Sequence, residues 1–243
     1  MNEVAVATEH EAASARLDAL DGWGGLLDPW WNDGYNMDVV NIQITSVMPP
    51  FEKEDLYPKA TRFLRRADAM GLVDEPIREL SPEVVRKLAR RLSQRGLASD
   101  SAARLATGKP SASELSRYLD AALLALDESP VPDAELAKLN STLGHELVAG
   151  LLEISAASLQ RYQNGERQVP DAVAERAHFL TSVISALEGI YNEFGVRRWF
   201  ERSRSAFDGQ TARQLLGPGW IPGDEAPRRV RAAAESLQEL GAT

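Results

Sequence analysis

LVAGLLEISAASLQRYQNG, residues 147–165, decides how this chain is read, because it fits a helix-turn-helix almost position by position. Ala149 supplies the small residue at which a second helix can cross the first closely. Leu152, Ile154, Leu159 and Tyr162 recur at the spacing that packs two crossing helices against each other. Ser155 is a good N-cap, so the second helix is expected over Ala156–Gln163. Gly165 closes that helix and Pro170 prevents its simple continuation. One position is out of pattern. Glu153 stands in the turn where glycine is favoured, so the turn must hold an unusual backbone conformation or change its shape.

In a DNA-binding unit of this kind the second helix lies in the major groove and its N-terminal half meets base edges. The DNA-facing set is then Ser155, Ala156, Ala157, Gln160 and Arg161, with Asn164 near the phosphates. Arginine can read guanine and glutamine adenine through paired hydrogen bonds. The same pattern also packs helical hairpins that touch no nucleic acid, so a purely structural hairpin stays open beside the DNA reading.

Outward from this motif, composition sets the limits. The 243 residues suffice for one large domain or two to three small ones, and 44% hydrophobic residues is ordinary for a globular chain. There is no cysteine, which excludes disulfides and thiolate metal sites and suits a reducing cytoplasm. No apolar run approaches the roughly 18 to 20 residues that cross a bilayer. The start, MNEVAVATEHEAASARLDAL, is acidic and unlike a secretory signal. The protein therefore reads as cytoplasmic with no membrane partner. Its net charge of −9 argues superficially against nucleic acid, but 11 acidic and 3 basic residues fall within positions 1–60. The remainder is near neutral, so a single copy neutralises few phosphates and tight DNA binding requires a homo-oligomer or larger assembly.

Four regions follow. Residues 1–60 hold Trp23, Trp30, Trp31 and Tyr35, read as a small core in preference to an exposed docking surface, and the strand-like run MDVVNIQITSVM (37–48), stopped by Pro49 and Pro50. Residues 61–130 form a helical region, in which Ser81 caps a helix, Pro82 opens it and Gly96 ends it. DESPVPDA (127–134) is a linker or tight connection, residues 135–195 are the helix-turn-helix domain, and residues 196–243 are a small helical C-terminal module. The fold class is mainly α with a possible short strand element. Arg86, Lys87, Arg90, Arg91 and Arg95 have no acid among them, and either touch phosphates or form a solvated face above Val84, Val85, Leu88 and Leu92. SAARLATGKP (101–110) echoes SLQRYQNGERQVP (158–170), with Gly108 answering Gly165, an echo too loose to define a second helix-turn-helix domain.

No catalytic constellation is found, and no cofactor or metal site is expected. His10, His145 and His178 are scattered without metal-ligand spacing, His178 reads as packed on a buried helix, and Thr107-Gly108-Lys109 lacks the glycine that opens a phosphate loop.

Beyond the helix-turn-helix come RAHFLTSVISALEGIYNEFG (176–195) and RRWFERSRSAFDGQTARQLLG (197–217). Trp199, Phe200, the polar turn Ser203-Arg204-Ser205, Phe207, Gly209, Thr211 and the Leu215-Leu216 pair stand in an order that resembles the Xre/MbcA/ParS-type antitoxins. The chain departs from that pattern at Ala212, where the family commonly has proline, and in the insert PGWIPGDEAP (218–227). The resemblance spans about residues 140–243. It implies a C-terminal module that plugs a cognate toxin, typically a NAD-degrading RES-domain enzyme, and a helix-turn-helix that binds the promoter of the operon. Trp199, Arg202, Arg204, Phe207, Trp220 and Arg231 become the toxin-contacting set, because aromatic and arginine side chains dominate interface centres. Residues 140–243 are then expected to fold alone and bind the product of an adjacent gene, and removal of everything after Gly217 to abolish that binding, with DNA binding surviving the removal if the helix-turn-helix stays folded. The competing readings are a stand-alone transcriptional regulator and an adaptor that no longer touches DNA.

Overall fold

Alternation in IQITSV turns Ile42 and Ile44 inward and makes strand β1 (Ile42–Val47). Its parallel partner is β2 (Ile77–Leu80), with Ile42 opposite Ile77 and Val47 opposite Leu80. Parallel strands need a crossover, and helix α1 (Leu56–Ala69) provides it, burying Leu56, Ala60, Phe63, Leu64 and Ala67 along one stripe. The structure, a computed structural model, describes residues 41–241. The aromatic cluster Trp23, Trp30, Trp31 and Tyr35, and the first part of the strand-like run, lie outside the described residues.

Helix α2 (Pro82–Gln94) starts as the sequence predicts: the Ser81 hydroxyl accepts from Val84 N, and Pro82 sits in the first turn. Gly96 follows the helix with φ +72°. Helices α3 (Ser99–Thr107) and α4 (Ala112–Glu128) complete this half, α4 opening on a capping box of Ser111 and Glu114. Its core gathers Phe51, Phe63, Leu80, Leu92, Leu119 and Leu126.

After a short connection come α5 (Pro132–Leu143), α6 (His145–Leu152), α7 (Ala156–Gln163), α8 (Asp171–Leu187) and α9 (Glu193–Glu201). A 3-10 turn (Ser205–Phe207), α10 (Ala212–Leu215) and α11 (Glu225–Gly241) follow. Eleven α-helices and one two-stranded sheet among the described residues make the fold mainly α with a short strand element. A second core joins Leu139, Leu152, Leu159, Phe179, Trp199 and Phe200 to Phe207, Trp220 and Val230. It runs through residue 196 without a break, so the helix-turn-helix and the segment after it share one interior.

Polar side chains tie the two cores together through α1. Arg66 donates from Nε to Asp127 Oδ1 (2.7 Å) and from Nη1 to Thr181 Oγ1 (3.0 Å), and Glu135 lies 2.6 Å from His178 Nδ1. One turn further on, Lys138 Nζ stands 3.1 Å from Asp68 Oδ2 and 3.3 Å from Glu188 Oε1. Two buried carboxylates thus share one buried ammonium. Burial raises the Glu188 pKa to about 7, with Lys138 opposing and the Asp68 charge reinforcing that rise. Gly71 ends α1 at φ +70°, where a Cβ would lie 2.5 Å from the Ala134 carbonyl oxygen, so only glycine allows α1 and α5 to come this close.

Candidate nucleic-acid interface

Eight residues cannot hold a helix by propensity alone, so α7 must be fixed by its surroundings. Leu159 and Tyr162 are buried beneath it, and the Ser155 hydroxyl caps it by accepting from Ser158 N at 3.1 Å. His145 Nε2 lies 3.2 Å from the Ala156 carbonyl, and Gln163 Nε2 donates to the Leu136 carbonyl at 3.1 Å. The other side of the helix is open. Ser155, Ala156, Ala157, Gln160, Arg161 and Asn164 are all exposed, as the helix-turn-helix spacing predicts.

The turn that aims this helix is held from an unexpected direction. Glu153 adopts φ 55°, ψ 42°, the left-handed conformation that costs a non-glycine residue about 1–2 kcal/mol. Its carboxylate offsets that cost, with Oε2 2.6 Å from Arg176 Nη1 and Oε1 accepting from Gly219 N at 2.6 Å. Arg176, on α8, also donates from Nε to the Trp220 carbonyl (2.9 Å) and lies over the indole ring, 5.5 Å from its centroid. Trp220 is buried edge-on against Phe179 at 5.2 Å, and its Nε1 donates to the Leu151 carbonyl at 2.9 Å. The 218–227 insert is therefore a strap across the back of the turn.

Two side chains alter the charge of the open face. Asn164 Nδ2 donates to Glu166 Oε1 at 2.9 Å, so this amide is engaged and an acid stands beside it. Arg167, exposed just beyond Gly165 and 5.7 Å from the Tyr162 ring centroid, adds a cation that the sequence reading missed. Its only sequence signal is its place in the polar loop after the helix.

The basic helix α2 is less free than its own sequence suggests. The loop before β2 brings Asp74 to 2.7 Å from Arg91 and Glu75 to 2.7 Å from Lys87, while Arg86 Nε donates to the Pro82 carbonyl. Arg90 and Arg95 remain exposed.

The C-terminal set requires correction. Trp199, Phe207 and Trp220 are at most 5% exposed, so they are core residues and form no aromatic surface. Trp199 packs edge-on against Phe200 at 5.2 Å and against Phe207 at 6.0 Å. Arg204 lies 4.8 Å from the centroid of the Trp199 ring, and burial holds its pKa below the ordinary arginine value. Arg231 covers the Phe179 ring at 4.8 Å, and Arg202 is exposed. The physical reason is that a small helical unit has to bury its largest aromatics to have a core at all. A chain ending at Gly217 would lose Trp220 and the Val230 side of that core, so the helix-turn-helix is not expected to survive the truncation.

No protein-family model, curated protein or solved structure matches the chain. No described helix is long and apolar enough to cross a membrane, and no three or more of the described histidines, aspartates and glutamates are grouped as metal ligands would be.

Proposed function

We propose that this chain is a helix-turn-helix DNA-binding protein whose reading element is α7. One observation carries the reading: a capped, well-anchored helix presents Gln160 and Arg161 outward from its first two turns with no structural task of their own. Side chains at that place reach base edges when the helix enters a major groove. Arg161 and Arg167 are the cations of the face, Glu166 opposes them, and Glu153 is neutralised by Arg176. Such a balance gives few phosphate contacts per copy, so operator binding is proposed for a homodimer or larger assembly. The test is fluorescence anisotropy on duplexes taken from the DNA upstream of the gene. Gln160→Ala with Arg161→Ala should weaken binding by about 1–3 kcal/mol for each side chain that reads a base, and should relax sequence preference. Unchanged affinity and preference would remove the proposal.

The antitoxin role is the second reading, favoured by the order of residues from Trp199 to Leu216 that resembles the Xre/MbcA/ParS-type antitoxins. With the aromatic residues internal, a toxin would have to meet exposed side chains of the C-terminal part, among them Arg202 within that segment and Ile221 and Arg228 beyond it. Failure of the full chain to co-purify with the product of an adjacent RES-type gene would leave the stand-alone regulator.

A further inference from the structure

The turn between α2 and α3 is built like the turn between α6 and α7. In the first, Leu97 N donates to the Leu92 carbonyl (2.9 Å) and Gly96 N to the Ser93 carbonyl (3.1 Å). In the second, Ile154 N donates to the Ala149 carbonyl (3.0 Å) and Glu153 N to the Gly150 carbonyl (3.3 Å). Gly96 and Glu153 both have positive φ, 72° and 55°.

The register holds along the helices that follow. One constant shift carries Gly96 onto Glu153, Ala102 onto Leu159 and Leu105 onto Tyr162, each of the last two pairs buried. The same shift carries Arg104 onto Arg161 and Thr107 onto Asn164, both pairs exposed, and ends with Gly108 on Gly165. Each unit continues into a 17-residue helix, α4 and α8. Hydrogen bonding of the turn, the positive φ at its centre, burial and the length of the helix that follows agree; Ala98 and Gly108 differ in backbone sign from Ser155 and Gly165, and few residue identities are shared.

We infer that the α2–α3 unit is a second helix-turn-helix, and that its α3 face contacts the phosphate backbone of duplex DNA. The side chains decide between reading bases and holding phosphates. Where α7 offers Ala157 and Gln160, α3 has Asp100 and Ala103, which supply no base-reading pair and set an acid at the helix head. The cations lie around it. Arg104 and Arg117 flank Tyr118, 5.8 and 6.0 Å from its ring centroid, and the exposed Lys109 follows the helix. Phosphate contacts fix position without carrying sequence information, so α3 adds affinity and orientation to a site that α7 reads.

This inference rests on the DNA-binding reading, and the salt dependence of binding separates the two. The probe is the intact chain with a labelled upstream duplex and a scrambled duplex of equal length. Removing one cation from a phosphate lowers the slope of log affinity against log salt by about 0.9. Arg104→Gln with Lys109→Gln and Arg117→Gln, checked for helix content by circular dichroism, should flatten that slope by about two or more on both duplexes and leave the preference between them intact. Lys109→Gln alone, an exposed change between helices, should flatten it by about one. Preserved slopes in both variants, with specific binding by the parent chain, would overturn the second site and leave α7 as the reader. No binding by the parent chain to either duplex would remove both readings.

Discussion

Raising the pH from 5 to 8 should destabilise this protein, and Glu188 is the reason. Asp68, Lys138 and Glu188 are buried together, with Glu193 and Arg197 on the neighbouring helix start and Arg65 on the Gly189 side. Two carboxylates against one ammonium leave a net negative charge unless one of them keeps a proton. Burial does this to Glu188, taking its pKa from 4.5 to about 7. The sign follows from linkage: between these values the folded state holds a proton that the unfolded state releases, so stability falls as pH rises. The contribution is fully present below about 4.5 and is lost by the time pH passes about 7. A shift of that size corresponds to about 3 kcal/mol, or roughly 6–12 °C in Tm for a unit of this length. The raised pKa of Lys138, where Glu188 and Asp68 outweigh the effect of burial, acts only above 10.5 and leaves this window untouched. Glu188→Gln keeps the shape and removes the proton. Urea denaturation at intervals between pH 5 and 8 should show the variant gaining on the parent steadily, until it is the more stable by about 3 kcal/mol. Parallel curves for the two proteins would refute the reasoning, whatever the other ionisable groups contribute to both.

Two further outcomes concern the strap behind the turn. Trp220→Ala empties a buried indole site and should cost about 3–5 kcal/mol in urea denaturation, whereas Trp220→Phe removes the bond to Leu151 and should cost about 1 kcal/mol. Glu153→Ala keeps the left-handed strain while losing Arg176 and Gly219, so it should be the less stable, by about 1 kcal/mol, of the pair formed with Glu153→Gly. Equal stabilities for that pair would mean the backbone at 153 carries no strain.

The helix-turn-helix was legible because its signals are local. Ser155 as cap, Gly165 as stop, and the inward Leu159 and Tyr162 all act within one or two turns, and the structure keeps each of them. Ser81, Pro82 and Gly96 placed α2 for the same reason. What could not be read was long-range. Trp199, Phe207 and Trp220 have the same spacing whether they line a core or crown a surface, and only the neighbours that arrive from α8, α9 and the 218–227 insert decide the matter. The basic helix looked unopposed because Asp74 and Glu75 belong to a different segment. The echo at 101–110 looked weak because it is carried by a hydrogen-bond pattern and by burial, which different side chains can satisfy equally well.

The position of Glu153 explains how this chain can hold a short exposed helix without a glycine in the turn. A left-handed glutamate left alone would favour any rearrangement that relieved it. Here the carboxylate is fixed by an arginine of α8 and by a backbone N–H of the strap, and that arginine is itself held by the carbonyl and the ring of Trp220. The strained residue is therefore the point at which α6, α8 and the C-terminal segment meet. Trp220, one of the aromatic residues that the sequence offers as an interface, becomes in the structure the support of the turn that aims Gln160 and Arg161. A lesion in the strap would then reach the open face of α7 through Glu153.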